Sequence, residues 1–255
     1  MSASPTITVA EVRKSIRTNI AMVAHIRWFG RPLANLVTPY FHRRGWTANS
    51  LTVARTILGA GGVSLLAVPV PALWPVSAAI YYVCVVLDCV DGNLARIQDD
   101  ASYLGKFLDG IGDFIYPLVG AFLAGVGCWL YFDNPLGLVA GGAVSIAAGT
   151  NQMLRSRLSF MREWMVNQSG SLTEAELSAA KPPRRIQEIA AAIMVDGHFL
   201  LMAVLFVPTW GPPAYIALAI AVQFVPDVVW TGTTFAEANA LLRRKRQSRH
   251  ARTSE

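Results

Sequence analysis

Residues 88–113 read DCVDGNLARIQDDASYLGKFLDGIGD, and this polar stretch separates two long apolar runs, at 71–87 and 114–130. Four carboxylates fall at or inside the ends of those runs, on Asp88, Asp91, Asp109 and Asp113. Charged groups at the edge of a hydrocarbon layer are energetically costly, and they usually have a function where they occur. The two questions are therefore what the apolar runs form and what the carboxylates bind.

The composition indicates a membrane protein. Of 255 residues, 53% are hydrophobic and 15% are charged, whereas soluble domains carry about 25% charged residues. Apolar runs of about 18 residues or more indicate transmembrane helices. Six such candidate spans lie at about 50–70, 72–90, 107–131, 136–154, 189–208 and 212–232. The sequence thus predicts an all-α integral membrane protein, a bundle of six transmembrane helices.

The chain divides into three parts. Residues 1–48 form an N-terminal segment in which Ile16, Ile20, Val23 and Ile26 are spaced for one helix face. We expect an amphipathic juxtamembrane helix there, with a soluble cap on the bundle as the alternative. No signal-peptide pattern opens the sequence. Residues 49–235 form the six-helix domain, and 236–255 form a basic tail.

The distribution of basic residues predicts the orientation. Lys and Arg are concentrated in the N-terminal segment, in 155–185 and in 243–246, whereas 71–73, 132–135 and 208–213 contain none. With six spans, the positive-inside rule places both termini and the 88–113 segment on the cytoplasmic side. The net charge of +6 then indicates contact with anionic lipid headgroups, because no nucleic-acid-binding motif is visible.

The acidic residues are spaced for two helix faces. Asp88 and Asp91 are three residues apart, and Asp109 and Asp113 are four apart, so each pair shares a face of its helix. Two helices crossing at small residues would gather all four carboxylates. Such a cluster requires neutralisation, for which two Mg²⁺ or Mn²⁺ ions are suited, and paired metals are common in phosphoryl chemistry. The alternative is a set of salt bridges with Arg55, Arg96 and Lys106.

At this point the sequence resembles a known family. The pattern Asp88-x2-Asp91-Gly92-x2-Ala95-Arg96-x8-Gly105-x3-Asp109-x3-Asp113 matches the signature of the CDP-alcohol phosphotransferases at every fixed position. The segment 47–55, TANSLTVAR, is similar to the one that opens the first span in this family, with Ala48 in place of the usual proline. Taken alone, 47–55 favours a helix N-cap at a membrane boundary.

The resemblance implies a reaction and roles for the site residues. Such enzymes displace CMP from a CDP-linked donor and join the donor phosphate to an acceptor alcohol. The four aspartates would bind the metals, with Asp113 also acting as general base. The residues expected at the nucleotide are Asn49, Thr52, Asp91, Gly92, Ala95, Arg96, Gly105 and Asp109. Family members are often homodimers, so a homodimer is expected.

The acceptor is less well defined by the sequence. The resemblance implies that basic residues near the end of span four bind a phosphate-bearing acceptor, and Arg155 and Arg157 lie there. Flanking charge that sets the membrane topology is the alternative explanation. Asp196, His198 and Asp227 could line an acceptor cavity or form structural pairs. The expected donor is CDP-diacylglycerol, acting with a small polar alcohol in a prokaryotic cell membrane. The alternatives are a soluble CDP-alcohol with a lipid acceptor, a cation-binding transporter and a non-enzymatic scaffold.

Overall fold

The computed structural model describes residues 7–15, 24–99, 103–165, 197–207 and 209–253. Within these ranges the chain is helical and contains no strand. The α-helices are α1 (Val9–Lys14), α2 (Arg31–Arg43), α3 (Ala48–Ser64), α4 (Leu73–Ile97), α5 (Tyr103–Phe114), α6 (Gly120–Phe132), α7 (Leu136–Glu163), α8 (Gly197–Met202), α9 (Gly211–Ala219) and α10 (Val225–Thr253). Short π-helical segments precede α2, α6 and α10, at Ile26–Gly30, Ile115–Val119 and Ile220–Phe224.

Three helical stretches among the described residues are long and apolar enough to cross a membrane: Ala48–Ala67, Leu73–Ile97 and Gly211–Arg243. Two shorter apolar helices, Gly120–Phe132 and Gly197–Phe206, lie within the predicted third and fifth spans. The all-helical architecture with long apolar helices therefore agrees with the predicted fold class. The count of six spans and the orientation of the termini stay predictions, and part of the fifth span lies outside the described residues.

The N-terminal segment contains two helices in its described part. A capping box between Thr8 and Glu11 begins α1, while the predicted face at residues 16–23 lies outside the described ranges. Helix α2 turns its polar side inward. Its buried residues are Ala34, Asn35, Thr38 and His42. Its exposed large apolar residues are Leu33, Leu36, Val37 and Tyr40. Apolar side chains that face away from the protein suit a helix on a membrane surface better than a soluble cap.

The centre of the bundle is tightly packed. The core side chains of Leu66, Trp74, Met202 and Tyr215 are fully buried between the long helices. Helices α6 and α7 approach closely, since a Cβ atom at Gly141 would collide with the Ala121 carbonyl oxygen. Small residues allow such contact between helix backbones in membranes.

The helices position the polar stretch of the sequence. Helix α4 does not end where its apolar run ends but continues through Asp88 and Asp91 to Ile97. Helix α5 then begins at Tyr103. The last turns of α4 and the whole of α5 therefore carry the signature residues. At the other end of the chain, most of the predicted basic tail is a continuation of α10, which extends to Thr253.

Candidate functional site

Helix α3 brings a positive charge and a hydroxyl to the two aspartates of α4. The Arg55 guanidinium contacts both carboxylates, with Nη1 2.6 Å from Asp88 Oδ1 and Nε 3.7 Å from Asp91 Oδ2. The Thr52 hydroxyl lies 2.8 Å from Asp91 Oδ2. Arg55, Asp91 and Thr52 are buried, so their interaction is only weakly screened by solvent. The predicted shared face of Asp88 and Asp91 is confirmed by their common partner.

The segment 47–55 has two roles in this arrangement. Thr47 caps α3, and Ser50 completes the capping box, as the sequence predicted for this boundary. One turn further along, Thr52 and Arg55 reach the carboxylates of α4. Part of the salt-bridge alternative is therefore observed, because Arg55 forms ion pairs with Asp88 and Asp91, two of the four aspartates.

Helix α5 passes close to this group. A Cβ atom at Gly112 would lie 2.9 Å from Thr56 Oγ1 and 3.0 Å from Arg55 Nη2. The backbone of α5 thus runs against Arg55 at the residue that precedes Asp113. The side chains of Asp109 and Asp113 lie outside the described part of the structure, so the cluster of four carboxylates stays a prediction.

The donor set can be compared with the needs of a metal ion. Among the described side chains, no three His, Cys, Asp or Glu residues lie close enough to hold one. Asp88 and Asp91 nevertheless offer carboxylate oxygens, which Mg²⁺ and Mn²⁺ prefer, and they hold a cationic group here. Their chemistry and their position beside α5 fit a divalent metal site that α5 would complete.

The residues expected at the nucleotide lie on three helices. Asn49 and Thr52 are on the first turns of α3, and Gly105 is near the start of α5. On α4, Gly92 leaves space beside Arg96, whose Nη1 would lie 3.6 Å from a Cβ atom there. Ala95 is half-buried against the small core formed by α2, α3 and α4.

Sequence reasoning missed Asn93. This buried side chain accepts a hydrogen bond of 2.7 Å from Arg96 Nη2. The three-residue spacing between Asn93 and Arg96 is a signal that could have identified the pair, because it places them on one helix face.

A large cavity of about 1180 Å³ connects Asp88 of α4 with the helices that follow. Its lining includes Asp88, Arg55, Arg155, His198 and Asp227, together with the unforeseen His25 and Gln223. Three of the residues considered for the acceptor, Arg155, His198 and Asp227, thus share a cavity with Asp88. Both arginines are exposed, but Arg157 does not line this cavity. Asp196 lies outside the described residues.

The ionisable residues of the cavity have specific neighbours. Asn151 Nδ2 donates a hydrogen bond of 2.6 Å to Asp227 Oδ1. The Arg155 guanidinium lies 5.0 Å from the centre of the Trp230 ring, a cation–π distance. The His198 ring stands edge-on to Tyr81, with ring centres 5.6 Å apart. Arg155 is therefore positioned by α10, on a wall that also carries a buried carboxylate.

The chain was compared with known proteins. No curated protein matches it significantly. A family model described as CDP-alcohol phosphatidyltransferase matches residues 46–225. The match begins just before α3, contains the whole signature stretch and ends at the first residue of α10. Because this match covers well over half of the sequence and includes α3, α4 and α5, which carry the signature residues, the chain belongs to the CDP-alcohol phosphatidyltransferase family.

Proposed function

We propose that this protein transfers a phosphatidyl group from CDP-diacylglycerol to a small polar alcohol, releasing CMP and forming a phospholipid. The observation that carries this proposal is the grouping of Asp88 and Asp91 with Thr52 and Arg55, against which the backbone of α5 passes. This grouping unites the two segments that carry the resemblance, 47–55 and 88–113, which lie on separate helices.

Membership of the family supports the general type of reaction. Its members are transferases of phosphate-containing groups, and they act on CDP-alcohols and alcohols in membranes. They generally use divalent metals. In this chain, Asp88, Asp91, Asp109 and Asp113 would hold two Mg²⁺ or Mn²⁺ ions. When bound, such ions would neutralise the charge of the donor pyrophosphate and of the departing CMP.

The chain's own residues would perform the transfer. The Asp113 carboxylate takes the proton of the acceptor hydroxyl. The acceptor oxygen forms a bond to the phosphorus that carries the diacylglycerol, and the bond from that phosphorus to the bridging oxygen breaks. CMP leaves with the electron pair of the broken bond. Arg96 would contact the donor phosphates, while Gly92, Ala95 and Gly105 would allow close approach of the nucleotide beside Asn49 and Thr52.

The cavity supports a site for the acceptor next to Asp88. Arg155 lines the same cavity as Asp88, and a guanidinium is suited to an acceptor that carries phosphate. The proposal for acceptor binding therefore rests on Arg155 rather than on Arg157. Asp227 and His198 would face the same acceptor from α10 and α8.

The membrane arrangement is part of the proposal. We place six spans in a prokaryotic cell membrane, with both termini and the active site on the cytoplasmic side and with two chains forming a homodimer. The outward apolar face of α2 supports its position at the surface of the bilayer. A site at that depth would admit a lipid donor from the side.

The test is CMP release by the purified protein in detergent with Mn²⁺ or Mg²⁺. CDP-diacylglycerol is supplied with serine, glycerol 3-phosphate, inositol, inositol 1-phosphate, choline or ethanolamine. We expect release that requires one of these alcohols. Asp113→Asn should abolish it, whereas the matched variant Asp133→Asn, in the turn before α7, should retain it. Release only from a soluble CDP-alcohol with diacylglycerol would reverse the donor assignment. Cation flux without CMP release would favour a transporter.

A further inference from the structure

The Asn93 side chain stands at the junction of α2 and α4. It is 1% exposed, although asparagine is usually found at the surface. Its Nδ2 donates to Asn35 Oδ1 at 3.2 Å and to Thr38 Oγ1 at 3.0 Å, both on α2. Its Oδ1 accepts from Arg96 Nη2 at 2.7 Å. Both donor hydrogens of the amide and its oxygen therefore contact other residues.

The hydrogen bonds have a fixed direction. A guanidinium can only donate, so the contact with Arg96 requires oxygen on that side of the Asn93 amide and turns its NH₂ group toward α2. Thr38 accepts from Asn93 and donates its own hydrogen to the Ala34 carbonyl oxygen at 2.7 Å. The hydrogen bonds thus form a continuous chain in which each residue donates to the next: Arg96 to Asn93, Asn93 to Thr38, and Thr38 to the backbone of α2.

We propose that Asn93 is a positioning residue that holds the Arg96 guanidinium ready for the donor phosphates, with Asn35 and Thr38 of α2 fixing the amide. The inference rests on the proposed function, in which Arg96 contacts the donor. Arg96 is exposed, and a free arginine side chain loses much rotamer entropy when a ligand immobilises it. An arginine already held by a buried amide loses less, which strengthens binding of the donor.

The inference assigns a second role to α2. Its apolar side faces outward, and its inward polar side carries Asn35 and Thr38. A helix seated on the membrane surface would thereby set the position of a residue in the nucleotide site. The polar contact passes through the buried Asn93 side chain, beside the small core that α2, α3 and α4 share.

A double-mutant cycle tests the proposal with CDP as the probe. Binding of CDP to the full-length protein in detergent with Mg²⁺ is measured by calorimetry for wild type, Asn93→Leu, Arg96→Gln and the double variant. We expect Asn93→Leu to raise the Kd for CDP about threefold to tenfold, the effect of removing one restraint from the Arg96 side chain. In the Arg96→Gln background the same change should have less than about a twofold effect, because interacting residues are not additive.

Controls separate positioning from folding. Ser77→Ala alters another buried polar residue of α4 and should leave the Kd for CDP unchanged. If Asn93→Leu does not give a folded protein, Thr38→Val supplies the comparison, since it removes one anchor of the amide and keeps the side-chain shape. In CMP release, both variants should raise the KM for the donor and leave kcat within about twofold.

The outcomes are distinct. The inference is overturned if Asn93→Leu lowers CDP affinity equally in the wild-type and Arg96→Gln backgrounds. It is also overturned if the Kd is unchanged in folded Asn93→Leu and Thr38→Val. Either result leaves the proposed function standing. A wild-type protein that neither binds CDP nor releases CMP overturns both. A loss of affinity that depends on Arg96 supports the inference.

Discussion

Replacing Arg55 by methionine tests whether the two aspartates of α4 form a cation site. Arg55 Nη1 lies 2.6 Å from Asp88, and the arginine side chain is only 6% exposed. Methionine fills the space of the arginine stem but leaves the carboxylates of Asp88 and Asp91 without this charge. Removing one partner of a buried ion pair costs about 3–5 kcal/mol. Because the Asp88 side chain is 31% exposed, we expect the lower end, about 3 kcal/mol. For a chain of this size, that lowers the melting temperature by roughly 6–12 °C.

Divalent cations provide the discriminating measurement. Thermal unfolding in detergent is followed by tryptophan fluorescence, first with EDTA and then with Mn²⁺. At about one hundred times its Kd, a bound ion stabilises the folded state by about 2.7 kcal/mol, which would offset most of the loss. The rise should be larger for Arg55→Met than for wild type, because the arginine no longer competes with the ion for the carboxylates.

The control variant is Arg43→Met, which alters an exposed arginine of α2 and should unfold like wild type. The reasoning would be refuted if Arg55→Met lowered the melting temperature by less than about 2 °C, the effect of a surface pair. An equal response of wild type and variant to Mn²⁺ would show that the ion does not use these carboxylates.

Three further predictions follow from described contacts. Thr52→Val removes the hydroxyl that contacts the buried Asp91 carboxylate. This should lower the free energy of unfolding by about 1.5–3 kcal/mol, and an unchanged melting temperature in EDTA would contradict the prediction. Arg155→Ala should raise the KM for a phosphate-bearing acceptor about tenfold or more, with the donor KM unchanged; an unaltered acceptor KM would leave Arg155 a topological charge. Gly141→Ala should lower the melting temperature because its methyl group would collide with α6, whereas the matched Gly142→Ala meets no atom within 4 Å and should be neutral or slightly stabilising. Equal effects of the two alanines would refute the close approach.

The positions of the first helices could be predicted from the sequence, but their ends could not. Apolar runs locate α3 and the first part of α4, because burial in lipid demands apolar side chains. The run stops before Asp88, whereas α4 continues to Ile97, since backbone hydrogen bonds continue a helix whether its side chains are polar or apolar. For the same reason α10 extends into the basic tail.

The site was predictable where it depends on spacing along one helix. The shared face of Asp88 and Asp91 follows from three-residue spacing, and their common contact with Arg55 agrees with it. Contacts between helices are a different matter. The approach of Gly112 to Arg55, and the hydrogen bonds from Asn93 to α2, depend on crossing geometry, which spacing along one helix does not specify.

The polar face of α2 also has a consequence for how the protein is made. Asn35 and Thr38 find their partner 58 and 55 residues later in the chain, on a helix that is synthesised after α3. Helix α2 is therefore synthesised before Asn93, the side chain that binds its polar face. During that interval the polar side of α2 remains hydrated, and its apolar side can contact lipid. Docking of α2 onto Asn93 accordingly cannot precede the synthesis of α4.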